Sequence, residues 1–208
     1  IKRTLALADG ILKRDEESVK TLMEALVIIG ILMSFAGSSR PASGSEHHLS
    51  HFFEITGIIT NSDYFPHGID VAYSTVITAE IREKLLANEF PSTLYRTDDA
   101  QHRLKMTEIY GDIADGCIAL QNKVGNYTNN RMAVYSKKED EIRRILSEMP
   151  SGDEIKQMLS LVGLDMQEFY ALYGQEKIQN AILYAKDLKD RYTVLWLNYD
   201  MFGGILCE

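Results

Sequence analysis

Four of the chain's five histidines fall at positions 47, 48, 51 and 67, and imidazole is the side chain best suited to hold a metal ion or move a proton near neutral pH. If the segment from Glu46 to Phe53 is helical, His47 and His51 lie four residues apart and project from one face, the geometry two imidazoles need to meet one ion. His67 is expected from the loop after Pro66. Two neutral imidazoles with a third ligand and an open position describe a catalytic zinc-type site, whereas a structural site is closed by four protein groups, usually including cysteines. Spacing alone leaves this balanced against ordinary surface histidines. His48 points to another face and reads as a packing or hydrogen-bonding residue. Glu46 and Glu54 are candidate partners for metal-bound imidazoles, although a solvated helix charge is the simpler account of Glu54. His102 sits alone on a charged stretch.

Ser38-Ser39-Arg40-Pro41-Ala42-Ser43-Gly44 precedes a helix start and offers hydroxyls, backbone N–H groups and one guanidinium, the ingredients of an anion cradle. The plainer alternative is a small-residue connection between helices.

The elements that must position these residues are helical almost throughout, with no alternating run long enough for a strand, so the fold class is expected to be all-α. Asp15, Glu16 and Glu17 open a helix whose apolar positions Val19, Leu22, Met23, Leu26, Ile29 and Met33 continue to Gly37. Ser45 is a candidate cap for a helix starting near Glu46. Val71 to Leu86 reads as a buried helix ending before Pro91. Thr97, Asp98 and Asp99 begin another, with Ile109, Ile113, Cys117, Ile118 and Leu120 as its inner face. Arg131 to Met149 follows, stopped by Pro150, and Ser151 with Glu154 forms a capping-box signature that Asp165 and Glu168 repeat. A last helix is expected over 175–201, released by Gly203 and Gly204.

With 208 residues, 45% hydrophobic and 25% charged, the chain can bury a core and lies far from disordered compositions. A net charge of -8 argues against a nucleic-acid partner. Two cysteines, Cys117 and Cys207, make no disulfide framework, which points to a reducing, cytoplasmic setting. The apolar run from Ala25 to Ala36 falls short of the ~20 residues of a membrane span and reads as a buried helix. The sequence begins at Ile1 rather than Met, so a piece of a longer protein is expected.

From Gly37-Ser38-Ser39-Arg40-Pro41-Ala42-Ser43-Gly44-Ser45-Glu46-His47-His48-Leu49-Ser50-His51 to His67-Gly68, the sequence resembles the sn-glycerol-1-phosphate dehydrogenases of the iron-containing alcohol dehydrogenase and dehydroquinate-synthase-like superfamily. The Arg191-Tyr192-Thr193-Val194-Leu195-Trp196 stretch resembles the family's bacterial branch. The likeness runs over essentially the whole chain. It implies a multi-helical C-terminal domain over residues 1–208, whose NAD- or NADP-binding α/β partner domain lies outside this chain. No Gly-rich dinucleotide loop occurs here, in keeping with that.

The resemblance further implies a divalent metal held by one Asp and two His. His47 and His67 are those two, and His51 matches the family's substrate-contacting, catalytic histidine. The Asp would lie upstream, since neither Asp9 nor Asp15 has the expected surroundings. Zinc, nickel or iron would suit such ligands. The implied reaction interconverts glycerol 1-phosphate and dihydroxyacetone phosphate in phospholipid metabolism, with Arg40 and Ser43 shaping the polar end of the substrate pocket and little activity expected of the chain alone. A homo-oligomer is expected. Two alternatives stand beside this reading: a dehydroquinate-synthase-like domain that eliminates phosphate, and a helical assembly module.

Overall fold

The computed structural model describes residues 6–204, and Cys207 lies outside them. The described residues form ten α-helices joined by short 3-10 turns, with no strand among them. They are α1 (Ala8–Leu12), α2 (Glu16–Ala36), α3 (Ser45–Thr60), α4 (His67–Ala87), α5 (Asp99–Tyr110), α6 (Ala114–Val124), α7 (Met132–Ser147), α8 (Gly152–Leu161), α9 (Met166–Tyr184) and α10 (Val194–Phe202). The expected all-α class is borne out.

Caps account for most of the boundaries. Asp15 accepts from the backbone N–H groups of Glu17 and Ser18 to open α2, and Gly37 closes it in the left-handed region at φ 60°. Ser151 and Glu154 form the reciprocal capping box at α8. The repeat of that signature at α9 is half realised: Asp165 accepts from Gln167 N–H, but Glu168 turns away to accept from the Tyr73 hydroxyl at 3.3 Å. Ser45 does not cap α3. It is the buried first residue of the helix, and Glu46 Oε1 accepts from Gly44 N–H at 2.8 Å instead.

Other boundaries move for identifiable reasons. The helix expected from 71 begins at His67, where the single carbonyl of Pro66 accepts from the N–H groups of both Ile69 and Asp70. Gly111, at φ 52°, breaks the helix expected to run past Asp99 into α5 and α6. That break rotates Ile113 to the surface, and the buried positions are Met106, Tyr110, Ala114 and Gln121. The last helix is likewise two. α9 bends at Gly174, then residues 185–188 form a 3-10 turn and residues 189–193 run extended into α10.

The core gathers Leu49, Phe52 and Phe53 of α3 with Tyr73, Val76, Ile77 and Ile81 of α4, closed by Phe169, Ile182 and Leu195. Phe53 stacks on Tyr173 at 4.0 Å between ring centroids and meets Phe169 edge-on at 5.3 Å. Beside this core, Lys186 of the 3-10 turn is fully buried. Its ammonium donates to the Tyr127 hydroxyl at 2.8 Å, the Leu183 carbonyl at 2.6 Å and Asp187 Oδ2 at 2.9 Å, filling all three donor positions. The rings of Trp196 and Tyr199 flank it at 5.0 and 4.3 Å.

α2 departs from the expected buried helix. It runs 21 residues, long and apolar enough by length and composition alone to cross a membrane. Its only buried residues are the polar Ser18 and Thr21 near its start, while Leu26, Val27, Ile28 and Ile31 are about half exposed and Phe35 is 86% exposed. The apolar run that sequence places inside therefore stands outside the core of the described residues. A helix apolar on all sides is stable only against protein or lipid.

Two outcomes test this packing. Lys186→Met is expected to lower the unfolding free energy in urea by about 3–5 kcal/mol, because it strands Asp187, and adding Asp187→Asn is expected to recover part of the loss. Size-exclusion chromatography at tens of micromolar is expected to show self-association that Leu26→Glu with Ile31→Glu abolishes; a monomer before and after the change would mean that α2 needs no cover.

Candidate functional site

The histidine cluster is assembled by a chain reversal. Asn61 in the left-handed region (φ 50°) ends α3, and Ser62 N–H donates to the Gly57 carbonyl at 2.9 Å. The returning segment then lies so close to α3 that a Cβ on Gly57 would stand 2.5 Å from the Tyr64 ring. Glycine is therefore required there, and the close approach carries residue 67 back to the middle of α3.

His67 enters as the first residue of α4, where it was expected in a loop. Its ring centroid lies 5.0 Å from that of His51 and 5.6 Å from that of His47. The predicted helix places His47 and His51 on one face, and both meet His67. Ser50 Oγ lies 3.0 Å from His67 Nδ1, fixing the ring's orientation. Glu54, read from sequence as a solvated charge, stands 3.5 Å from His51 Nδ1 and 3.8 Å from His67 Nδ1. His51, Glu54 and His67 each offer a ligand atom within 4.8 Å of the others. Part-exposed imidazoles with a carboxylate are of the kind that suits a divalent transition metal.

Each member has a distinct electrostatic setting. Glu46 Oε1 sits 2.9 Å from His47 Nδ1; burial alone would raise this carboxyl, but the hydrogen bonds with His47 and backbone N–H groups hold it below its ordinary range. His51 is pushed down by burial first, then by the charges of Lys189 and His67. It is therefore neutral near pH 7 and free to bind a metal or exchange a proton. His48 is fully buried with neither ring nitrogen hydrogen-bonded, and burial drives its pKa down to about 3. It packs the core, in line with its predicted role. His102 is no surface residue: it lies beneath Tyr127 and Tyr184, with Nε2 3.9 Å from Asp187.

Lys189 was not singled out from sequence and has no motif around it. Tertiary folding brings it beside His51 and places its ammonium 3.5 Å from Ser43 Oγ, and burial followed by the charge of Arg191 pushes its pKa down. Arg191 donates to the Ser43 carbonyl at 3.0 Å and to Ser39 Oγ at 2.9 Å, so it ties the small-residue loop to the segment after the 3-10 turn. Arg40 pairs with Asp190 at 3.5 Å near the surface. Asp9 pairs with Lys13 and Asp15 caps α2, so neither joins the histidines.

The described residues thus define an all-helical domain in which imidazoles and a carboxylate converge, a group that could hold a metal ion. The relatives give this arrangement a particular form. The glycerol-1-phosphate dehydrogenase, NAD(P)+, of Bacillus licheniformis is 25% identical over 200 residues, which is 95% of this chain and 39% of that protein. The enzyme of the same name from Korarchaeum cryptofilum is 44% identical over 94 residues, 41% of this chain and 30% of its own. That of Pyrobaculum islandicum is 47% identical over 64 residues, 31% of this chain and 18% of its own. No family model matches the chain. No solved structure matches it. The chain is thus similar over most of its length to glycerol-1-phosphate dehydrogenases, as the motif at 37–51 implies, and it spans about two-fifths of the length of the first of these relatives.

Asp70 anchors the start of α4 one turn after His67. It is fully buried, and Tyr173 Oη lies 2.8 and 2.9 Å from its two carboxyl oxygens while accepting from Phe65 N–H at 3.1 Å. Burial, with a smaller push from Glu54, raises its pKa to about 7 against the opposing effects of Tyr173 and Lys177. The folded chain therefore holds a proton here that the unfolded chain releases near pH 4. The resulting stabilisation is complete below about pH 4 and is lost as pH rises through 7. In metal-stripped protein, the melting temperature of wild type relative to Asp70→Asn is expected to fall steadily from pH 4 to pH 7.5; a constant difference would mean that Asp70 ionises normally.

Proposed function

We propose that this chain is the metal- and substrate-binding domain of an NAD(P)-dependent glycerol-1-phosphate dehydrogenase that interconverts glycerol 1-phosphate and dihydroxyacetone phosphate. The observation that carries the reading is the meeting of His47 and His51 from α3 with His67 from α4, at ring separations of 5.0–5.6 Å. The names and extent of the relatives supply the reaction.

In this reading His47 and His67 hold a divalent ion, zinc or alternatively nickel or iron, with Glu54 at hand beside His67. A bound ion would polarise the substrate's carbonyl or hydroxyl oxygen. His51, neutral because burial and Lys189 disfavour its charged form, contacts the substrate hydroxyl and takes or returns its proton. Lys189 and Ser43 bind the substrate phosphate a short reach from His51, and Arg40 adds positive potential at that polar end. Charge-assisted contacts of this kind orient a small flexible substrate against the reacting group.

The nicotinamide cofactor is held by protein outside residues 1–208, so the isolated chain is expected to be inactive. The exposed apolar flank of α2 supports this, since it is the surface a cofactor-binding domain or a second copy would cover. A cytoplasmic, oligomeric enzyme fits the same picture. The assembly-module alternative is favoured by α2 alone, and the converging histidines do not require it. Nothing in the arrangement favours phosphate elimination over dehydrogenation, and the relatives' names favour the dehydrogenase.

Calorimetric titration with Zn²⁺ and Ni²⁺ tests the site. Binding that weakens tenfold or more in both His47→Ala and His67→Ala is the expected outcome. Binding that survives His47→Ala but is lost in His51→Ala and Glu54→Gln would move the ligand set to His51, Glu54 and His67. Unchanged heats in all four variants would remove the metal from this cluster.

A further inference from the structure

A hollow of about 270 Å³ opens beside the buried Lys186, between the start of α5, the end of α9 and the end of α10. It shares no lining residue with the histidine cluster or with the small-residue loop. The rings of Tyr95, Tyr184 and Tyr199, with Leu183, give it apolar walls, and His102 supplies an imidazole. No Asp or Glu is among its lining residues.

The walls are pinned in place. Tyr95 N–H donates to the Asp200 carbonyl at 2.7 Å and Thr97 N–H to the Tyr199 hydroxyl at 3.2 Å, so the loop before α5 is tied to α10. Tyr95 and Tyr199 then meet edge to face at 5.3 Å between ring centroids. Gly203, in the left-handed region, permits this approach, since a Cβ there would stand 3.0 Å from the Tyr95 ring. At the end of α9, the Tyr184 carbonyl accepts from the Tyr110 hydroxyl at 3.0 Å.

The charged groups at the hollow are already engaged. Lys186 gives its three protons to Tyr127, the Leu183 carbonyl and Asp187, and Lys105 pairs with Glu108 at 2.7 Å. His102 lies 4.7 Å from the Tyr127 ring and 5.9 Å from that of Tyr184, and burial, ahead of the opposing pull of Asp187, lowers its pKa. Its imidazole is therefore neutral near pH 7, with one N–H and one lone pair to offer. Asp187 Oδ1 stands 3.9 Å from Nε2, beyond hydrogen-bonding length.

A charged guest would lose hydration here without gaining an ion pair. An uncharged ring would gain contact with the tyrosine rings and a hydrogen bond with His102. Size narrows the guest further. The volume exceeds the roughly 150 Å³ that encloses one benzene molecule and falls below the ~300–1,000 Å³ of sites for larger ligands.

We propose that this hollow binds an uncharged single-ring aromatic with one polar substituent, a phenol or an aryl carboxamide, its ring among Tyr95, Tyr184 and Tyr199 and its substituent on His102. The inference does not rest on the dehydrogenase reading.

The test is calorimetric titration of the metal-stripped chain with phenol and with benzamide, beside benzoate and cyclohexanecarboxamide. Saturable binding of phenol or benzamide below about 10 mM is expected for so few heavy atoms, and the tighter of the two names the substituent. Benzoate and cyclohexanecarboxamide are each expected to bind at least tenfold more weakly than that ligand. His102→Phe keeps a ring between Tyr127 and Tyr184 but removes the nitrogens, and is expected to weaken binding about fivefold. Tyr184→Leu is expected to weaken it about tenfold, and Zn²⁺ titration is expected to be unaltered in both variants. Should either variant fail to fold, nuclear Overhauser contacts from the guest's ring protons to tyrosine rings of the wild-type chain report the same site. The absence of saturation, benzoate binding as tightly, unchanged affinity in the variants that fold, or contacts to His47, His51 or His67 in place of the tyrosines would overturn the site. None of these readouts involves metal, so failure here leaves the histidine assignment standing, and the reverse holds.

Discussion

Burying an ammonium is tolerable only when each of its protons finds an acceptor and its charge a counter-charge, and Lys186 meets that demand through Tyr127, the Leu183 carbonyl and Asp187. Much of the domain is arranged around this requirement. Asp187 also accepts from Tyr127 at 2.7 Å, and its backbone carbonyl accepts from Gln121, so α6 and the turn after it are tied to the same point. Trp196 and Tyr199 bring α10 against the ammonium from the other side. The 3-10 turn that carries the pair packs on α3 and leads into the irregular segment bearing Lys189 and Arg191. The cationic wall facing the histidines is thus set by a buried ion pair on the far side of the turn.

A second constraint is the reversal between α3 and α4. Without a side chain at residue 57, Tyr64 can lie on α3, and Tyr173 can hold Phe65 and Asp70 together. The Tyr173–Asp70 contact is buried and Tyr173 is stacked on Phe53, so this end of α4 resists the small shifts that would separate His67 from His51. The histidine cluster is therefore carried by helices rather than by loops, which fixes its geometry. The opposite holds for α2, whose apolar residues find almost nothing among the described residues to pack on.

Charge is distributed unevenly. The chain is acidic overall, yet Lys189, Arg191 and Arg40 lie around the small-residue loop that leads to the histidines. Local excess of this kind attracts anionic ligands more effectively than total charge repels them, because screening shortens the reach of the distant acids.

Helical class, the capping of α2 and α8, and the facing pair His47 and His51 were legible in sequence because each depends on residues three or four apart. The likeness at 37–51 was legible for the same reason, being one continuous string. Tertiary structure alone decided the rest. Gly111 and the turn at residues 185–193 divide helices that periodicity runs together, since an apolar rhythm persists across a turn when both sides face one core. The part played by Lys189 depends on a contact with Ser43 across 146 positions, and Glu54's place beside His67 depends on the chain reversal. Hydropathy placed α2 inside because composition measures only how much apolar surface a helix has; where that surface goes depends on what the remaining helices leave to cover it.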